Sequence, residues 1–226
     1  MGERALTYYC YMRNFERKVL VVEDEPLLRA LIMTSLENDH FVVQGASNAA
    51  EARAIADDFD PDAALLDIEL GSGPSGIDLG IVLRKKHPEI ALVFLTHIPE
   101  PRVVGIDNKS IPRNAAYLVK DRVAQPGMVR EAIDAALRDR VGREFRDDKK
   151  THPLSEISRS QLEVLKLVAL GRSNNEIAEA RGTTVRAVEN LVKRALEATG
   201  VASADGNSRV LVAREFIKVA GLPHDK

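Results

Sequence analysis

Ala63-Ala64-Leu65-Leu66-Asp67 is an apolar run closed by a single carboxylate. It limits what this chain can fold into more than any other stretch. Five residues are too few for a typical helix, and an unalternated apolar run is the pattern of a strand buried on both faces of a parallel sheet. An acid at the carboxyl end of such a strand lies at the mouth of the sheet, where open α/β folds bind their ligands. Three further fragments repeat the pattern. Lys18-Val19-Leu20-Val21-Val22 runs into Glu23-Asp24-Glu25, Ile90-Ala91-Leu92-Val93-Phe94-Leu95 into Thr96, and Ala115-Ala116-Tyr117-Leu118-Val119 into Lys120. One edge of one sheet therefore collects acids, a hydroxyl and an amine.

Helical segments fill the intervals. Pro26 suits a first helical turn, and the helix it opens carries Leu27, Leu28, Leu31, Ile32 and Leu36. Phe41-Val42-Val43 is a further strand, and Ser47 is the expected N-cap of a helix containing Ala50, Ala54 and Ile55. The Gly71–Gly76 loop is rich in turn residues and leads to a helix through Ile77, Leu79 and Leu83 that stops at His87-Pro88. A last helix runs from about Pro126 to Arg140. Between Thr96 and the final strand, Pro99, Pro101, Gly105 and Pro112 leave little room for a regular helix. Alternating strands and helices imply a parallel sheet with right-handed crossovers.

The 226 residues fit two modest domains, and 45% hydrophobic with 29% charged residues is an ordinary globular composition. No apolar run approaches the roughly 20 residues that span a bilayer. Residues 1–17 lack the apolar centre of a signal peptide, so a cytoplasmic protein without membrane contact is expected. That stretch reads as a disordered extension, with Met12 as an alternative start. Cys10 has no cysteine to pair with and no cysteine–histidine cluster around it, so it is an incidental thiol. Of 32 Lys+Arg and 34 Asp+Glu, 13 and 9 lie from Lys149 onward, leaving 19 and 25 before it. An acidic first part and a basic second part point to a polyanionic partner for the second alone.

Glu23, Asp24 and Asp67 crowded at one edge repel one another unless a cation joins them. Hard oxygen donors with room for water suit Mg²⁺. An ion there would also neutralise an incoming phosphoryl group bound for the carboxylate. Lys120 offers a point charge, and Thr96 a hydroxyl, to phosphate oxygens. Val-Val-Glu-Asp-Glu, Leu-Leu-Asp67, Leu-Thr96 and Tyr-Leu-Val-Lys120-Asp121, in this order at these strand ends, resemble the receiver domain of two-component response regulators. The resemblance covers about Lys18 to Arg140 and implies a flavodoxin-like (CheY-like) α/β fold with a five-stranded parallel sheet. It also implies that Asp67 accepts phosphate from a phosphohistidine of a sensor histidine kinase. Mg²⁺ would be held by Glu23, Asp24, Asp67 and the backbone carbonyl of Glu69, and Thr96 and Tyr117 would be the switch pair. Two departures stand out. His97 is a bulky residue where the family has a small one, and is expected to restrict access and slow the phosphorylated form. The proline-rich stretch from Ile98 to Pro112 replaces a helix that relatives use in dimerisation.

Phe145 to Pro153 is polar, aperiodic and closed by proline, which reads as an exposed linker with a solvated charge run at Asp147–Lys150. Beyond it the pattern is helical. Leu162, Leu165, Val168 and Ala169 lie at helical spacing before Gly171, and Ser173-Asn174-Asn175-Glu176 is a capping box. After Gly182, Thr184 caps a longer helix whose inward face is Val185, Val188, Val192 and Ala195, with Gly200 past its end. Two helices joined by a tight glycine turn are a helix-turn-helix, whose second helix enters the DNA major groove. Its outward face carries Arg186, Glu189, Asn190, Lys193 and Arg194. The basic residues suit phosphates, Asn190 suits adenine, and Glu189 suits a cytosine amino group. Leu162 to Ala178, then Ala187-Val188-Glu189-Asn190-Leu191-Val192 and Thr199-Gly200-Val201, are similar to the LuxR-type DNA-binding domain over about Leu154 to Leu222. A receiver joined to that domain makes the NarL/FixJ class. Relatives carry a basic residue at the position of Glu189 and a histidine at that of Leu191, and Ala204–Asn207 looks inserted. The last helix, Ser208 to Val219, helps pair two copies in relatives, with Arg209 as a phosphate contact.

The expected organisation is an extension (1–17), a receiver (18–142), a linker (143–153) and a small all-α helix-turn-helix domain (154–226). The expected function is a phosphoacceptor regulator, not an enzyme, that forms a homodimer on activation and binds double-stranded DNA, with Thr184 among its contacts. Two rivals are a regulator that binds DNA without phosphorylation and a Mg²⁺-dependent phosphatase.

Overall fold

A computed structural model describes residues 16–71, 73–149, 154–199 and 207–221. Residues 1–15 of the expected extension, with Cys10, the linker end at Lys150–Pro153, Gly200 and the Ala204–Gly206 part of the insertion lie outside them, whereas Arg17 at the end of the extension pairs with Asp62.

Five strands, β1 (Lys18–Val22), β2 (Val42–Ala46), β3 (Ala63–Asp67), β4 (Ala91–Thr96) and β5 (Ala116–Val119), form one parallel sheet in the order β2-β1-β3-β4-β5. Four helices connect and close it: α1 (Pro26–Asn38), α2 (Ala49–Phe59), α3 (Gly76–Lys86) and α4 (Met128–Leu137). Neighbouring strands end nearly level, with Val22 opposite Leu66, Asp67 opposite Leu95, and Thr96 opposite Val119. The chain reverses its winding between β1 and β3, the place where doubly wound sheets of this order bind ligands. One sheet face presents Val19, Val21, Leu65, Val93, Leu95 and Leu118 to a core shared with Ile32, Leu36 and Ile133. Removing one of these side chains, as in Leu65→Ala, costs about 2–5 kcal/mol by the usual cavity penalty. Asn48, rather than Ser47, caps α2 by accepting from the amides of Ala50 and Glu51. Ser47 instead donates from its own amide and hydroxyl to Glu51, so the two neighbouring cap-formers divide the work.

By its contacts the chain divides into two units. The first consists of the residues up to Thr96 with Pro112–Phe145, and the second of His97–Ile111 with the residues from Arg146 on. The segment between β4 and β5 holds no α-helix, only single 3-10 turns at Pro101–Val104 and Asn108–Ser110, as its prolines require. Sequence places this segment inside the receiver, whereas its packing puts it in the second unit. The stretch read as an exposed linker is partly interior. Phe145 is buried in the core of the first unit. Asp147 and Asp148 are buried, and Arg146 forks onto the Asp148 carboxylate at 2.7 Å on both sides.

The second unit also contains α5 (Arg159–Ala169), α6 (Asn174–Ala180), α7 (Val185–Ala198) and α8 (Ser208–Ala220). Val164, Val168, Ile177, Ala178, Val188 and Val192 make the seam of α5, α6 and α7. Leu162, Leu165, Ala195, Leu196, Val212 and Phe216 bring in α8. Val185 was expected on the inward face of α7 but is exposed, because the first turn of that helix lies beyond the seam. No helix among the described residues is long and apolar enough to cross a membrane.

Candidate functional site

The strand ends of the first unit converge on Lys120. Its Nζ lies 2.9 Å from Glu23 Oε1 and 2.9 Å from Asp67 Oδ2, and all three residues are buried. The second Asp67 oxygen, Oδ1, accepts from the amide of Glu69 at 3.0 Å. Arg29 of α1 holds the carbonyl of Glu23, which fixes the turn out of β1. Asp24 is exposed at the rim, and one carboxylate oxygen each from Glu23, Asp24 and Asp67 lie within 4.8 Å of one another. Burial, and after it the nearby Asp67 charge, raises the pKa of Glu23 against the lowering effect of its bond to Lys120. Burial alone would lower Lys120, but its bonds to Glu23 and Asp67 outweigh that and hold the ammonium above its ordinary value. The pocket is thus an excess of carboxylate around a single cation. Three oxygen donors, two buried and one open to water, fit a hard divalent ion that keeps part of its hydration.

Gly76, which sequence reads only as part of a turn-rich loop, is a requirement of this pocket. A Cβ there would sit 1.9 Å from the carbonyl oxygen of Asp67. Ser75 caps α3 through a capping box with Asp78, so the helix starts directly beneath Asp67. Thr96 and Tyr117 are fully buried on adjacent strands, but they are not register partners, since Tyr117 stands opposite Phe94. His97 follows Thr96 and is exposed.

The second unit holds a helix-turn-helix. Ser173 and Glu176 form the expected capping box on α6, and Gly182 takes φ +59° in the turn. Thr184 Oγ1 accepts from the Ala187 amide at 3.2 Å, which makes its hydroxyl the cap of α7. Arg186, Glu189, Asn190, Lys193 and Arg194 are all exposed on α7. Arg209, expected as a phosphate contact, is half-buried and donates to Asn174 at the start of α6. A phosphate would have to compete with that bond. Sequence reasoning also misses Glu100 and Arg102, which sit among prolines with no motif around them.

Residues 19–105 match the response regulator receiver domain family. The response regulator protein VraR of Staphylococcus aureus (strain NCTC 8325 / PS 47) is 26% identical over 187 residues, covering 79% of this chain and 88% of VraR. A structure of two RcsB dimers bound to two parallel DNAs superposes with a TM-score of 0.60 at 17% identity, over 91% of this chain and 99% of RcsB. An RcsB–DNA complex gives 0.57 at 18% identity, with the same coverage. These likenesses in structure extend the common fold through both units. Residues 19–105 therefore carry the likeness of a response regulator receiver domain, the chain is similar in sequence to a response regulator over most of its length, and its two units share the fold of RcsB.

Proposed function

We propose that Asp67 accepts a phosphoryl group from a phosphohistidine of a sensor histidine kinase, and that this favours a homodimer binding double-stranded DNA through α7. The observation that carries this reading is the buried Lys120 held between Glu23 and Asp67 at the switch point of the sheet. In the transfer, the phosphorus–nitrogen bond of the donor breaks, a phosphorus–oxygen bond forms at Asp67, and the released imidazole takes up a proton. Lys120 neutralises part of the charge that arrives, and the Glu69 amide orients the carboxylate. Glu23, Asp24 and Asp67, with the backbone carbonyl of Glu69, would hold Mg²⁺. Bound there, the ion supplies charge neutralisation for the phosphoryl oxygens. Thr96 and Tyr117 would act as the switch pair, and exposed His97 as a screen that slows exchange at the site.

On α7, Arg186, Lys193 and Arg194 supply phosphate contacts, and Asn190 and Glu189 face base edges. Thr184 and Arg209 serve the interface from helix starts. A cytoplasmic location follows from this role. Two features favour a phosphorylation-independent regulator: His97 beside the site, and the 97–111 segment, which lacks the helix that receivers use to pair.

Intact mass and solution size, measured on wild type, Asp67→Asn and His97→Ala with Mg²⁺ and acetyl phosphate, test the reading. A gain of about 80 Da, one phosphoryl group, together with a larger species, is expected in wild type and absent from Asp67→Asn. The adduct should decay about tenfold faster in His97→Ala, ~1.4 kcal/mol of barrier. A dimer in both wild type and Asp67→Asn would favour the phosphorylation-independent regulator. Turnover of small phosphate esters would instead favour a phosphatase.

A further inference from the structure

Arg102 divides its donors between Glu100 and the start of the helical unit. Its Nη1 donates to the carbonyl of Ile157 at 2.7 Å, and its Nη2 to those of Leu154 and Ser155 at 3.0 Å each. The same guanidinium forks onto Glu100, at 2.8 Å through Nε and 2.8 Å through Nη2, and the Glu100 side chain is 2% exposed. Glu100 also accepts from the Arg102 amide at 3.1 Å, so the fork is held from its own backbone. Three carbonyls in the turn before α5 are thus satisfied by one side chain that lies 52 to 55 positions earlier. Val103 packs beside it against the cluster of Leu154, Ile157, Leu162 and Phe216. An arginine with five donors in a planar fork makes this set of bonds, and a lysine does not.

We infer that the helix-turn-helix unit is a discontinuous domain completed by the strap His97–Ile111, with Arg102 as its anchor. Because the strap begins at the peptide bond after Thr96, which closes the strand beside Asp67, it is also a covalent route by which a change at the Asp67 pocket reaches that unit. The second half of this inference rests on the proposed role of Asp67, and the first half does not. Arg102 is a positioning residue: it acts through the turn Leu154–Ile157, not on a ligand.

Amide hydrogen exchange read by mass spectrometry on the full chain separates the two halves. Without a phosphodonor, Arg102→Ala should speed exchange across residues 154–169 about tenfold or more, with β1 and β3 unchanged. Arg102→Lys, which keeps a charge for Glu100 but loses the fork, should give a smaller rise in the same place. No change there, or an equal change in the strands, overturns the anchor. If Arg102→Ala unfolds the helical unit altogether, the anchor stands and Arg102→Lys serves for the next comparison. With Mg²⁺ and acetyl phosphate, wild type bearing the adduct should change exchange in both 97–104 and 154–162. The variant bearing the same adduct should change only in 97–104. An identical response in the two proteins, or a wild-type response that stops at 104, overturns the route. Absence of the adduct in wild type removes the proposed role of Asp67 and the route together, while the measurement without phosphodonor still decides the anchor.

Discussion

Glu23 and Asp67 reach one ammonium from two different strands, and that arrangement sets how the pocket responds to acid and to metal. Glu23 has its pKa raised by burial first and by the Asp67 charge after it. A carboxylate raised in the folded state contributes stability that is full below its unfolded value and is lost as pH rises through its folded value. A divalent ion competes with the proton held there, so its binding strengthens as pH rises. Thermal unfolding with MgCl₂ should show a larger stabilisation at neutral pH than in weak acid, about 2.7 kcal/mol at a hundredfold excess over Kd. A shift of equal size at both pH values, or one retained in Glu23→Gln, would contradict the assignment of Glu23 as a ligand. Gly76 is the other residue on which the pocket depends. Gly76→Ala must displace either α3 or the Asp67 backbone, and should lower the urea midpoint by an amount equivalent to about 1–3 kcal/mol. An alanine variant as stable as wild type would mean that the loop yields freely.

At the scale of elements, α7 combines three cations with an acid on its exposed side. Each phosphate neutralised adds about 0.9 to the slope of log affinity against log salt, and Glu189 works against that attraction. Glu189→Gln should bind non-specific duplex more tightly, by roughly 2–10-fold at low salt, with the gain fading at high salt. An unchanged affinity across the salt series would place Glu189 away from the phosphates. The elements themselves were legible in the sequence where side chains alone decide them. Unalternated apolar runs marked four of the five strands, and Ser173 with Glu176 marked the start of α6. The errors fall where a main-chain atom or a neighbouring choice decides. Ser47 and Asn48 are both good caps, and only the Ser47–Glu51 bond separates their roles. The need for Gly76 comes from a carbonyl oxygen, which has no signature in a sequence.

For the whole molecule, the acidic first part and the basic second part agree with the division of labour proposed for the two units. The acidic pocket was readable because its carboxylates and its amine all follow apolar runs that end level in one sheet. The composition of the second unit was not readable, because Arg102 recognises three backbone carbonyls more than fifty positions away. Phe145 escaped for a related reason: one apolar residue in a polar stretch sets up no period, yet it fills a place in the core.

The Arg102 fork bears on how such proteins can be recombined. Read from the sequence alone, the stretch 143–153 is where this chain would be cut to exchange its first half for another. A chimaera joined between residues 143 and 153 would take Arg102 away with the discarded half, leaving the carbonyls of Leu154, Ser155 and Ile157 to a donor the new half does not carry. A graft that preserves the helical half has to bring residues 97–111 with it, inserted between two strands of the incoming partner. For this chain, the unit of inheritance is not a contiguous stretch of gene.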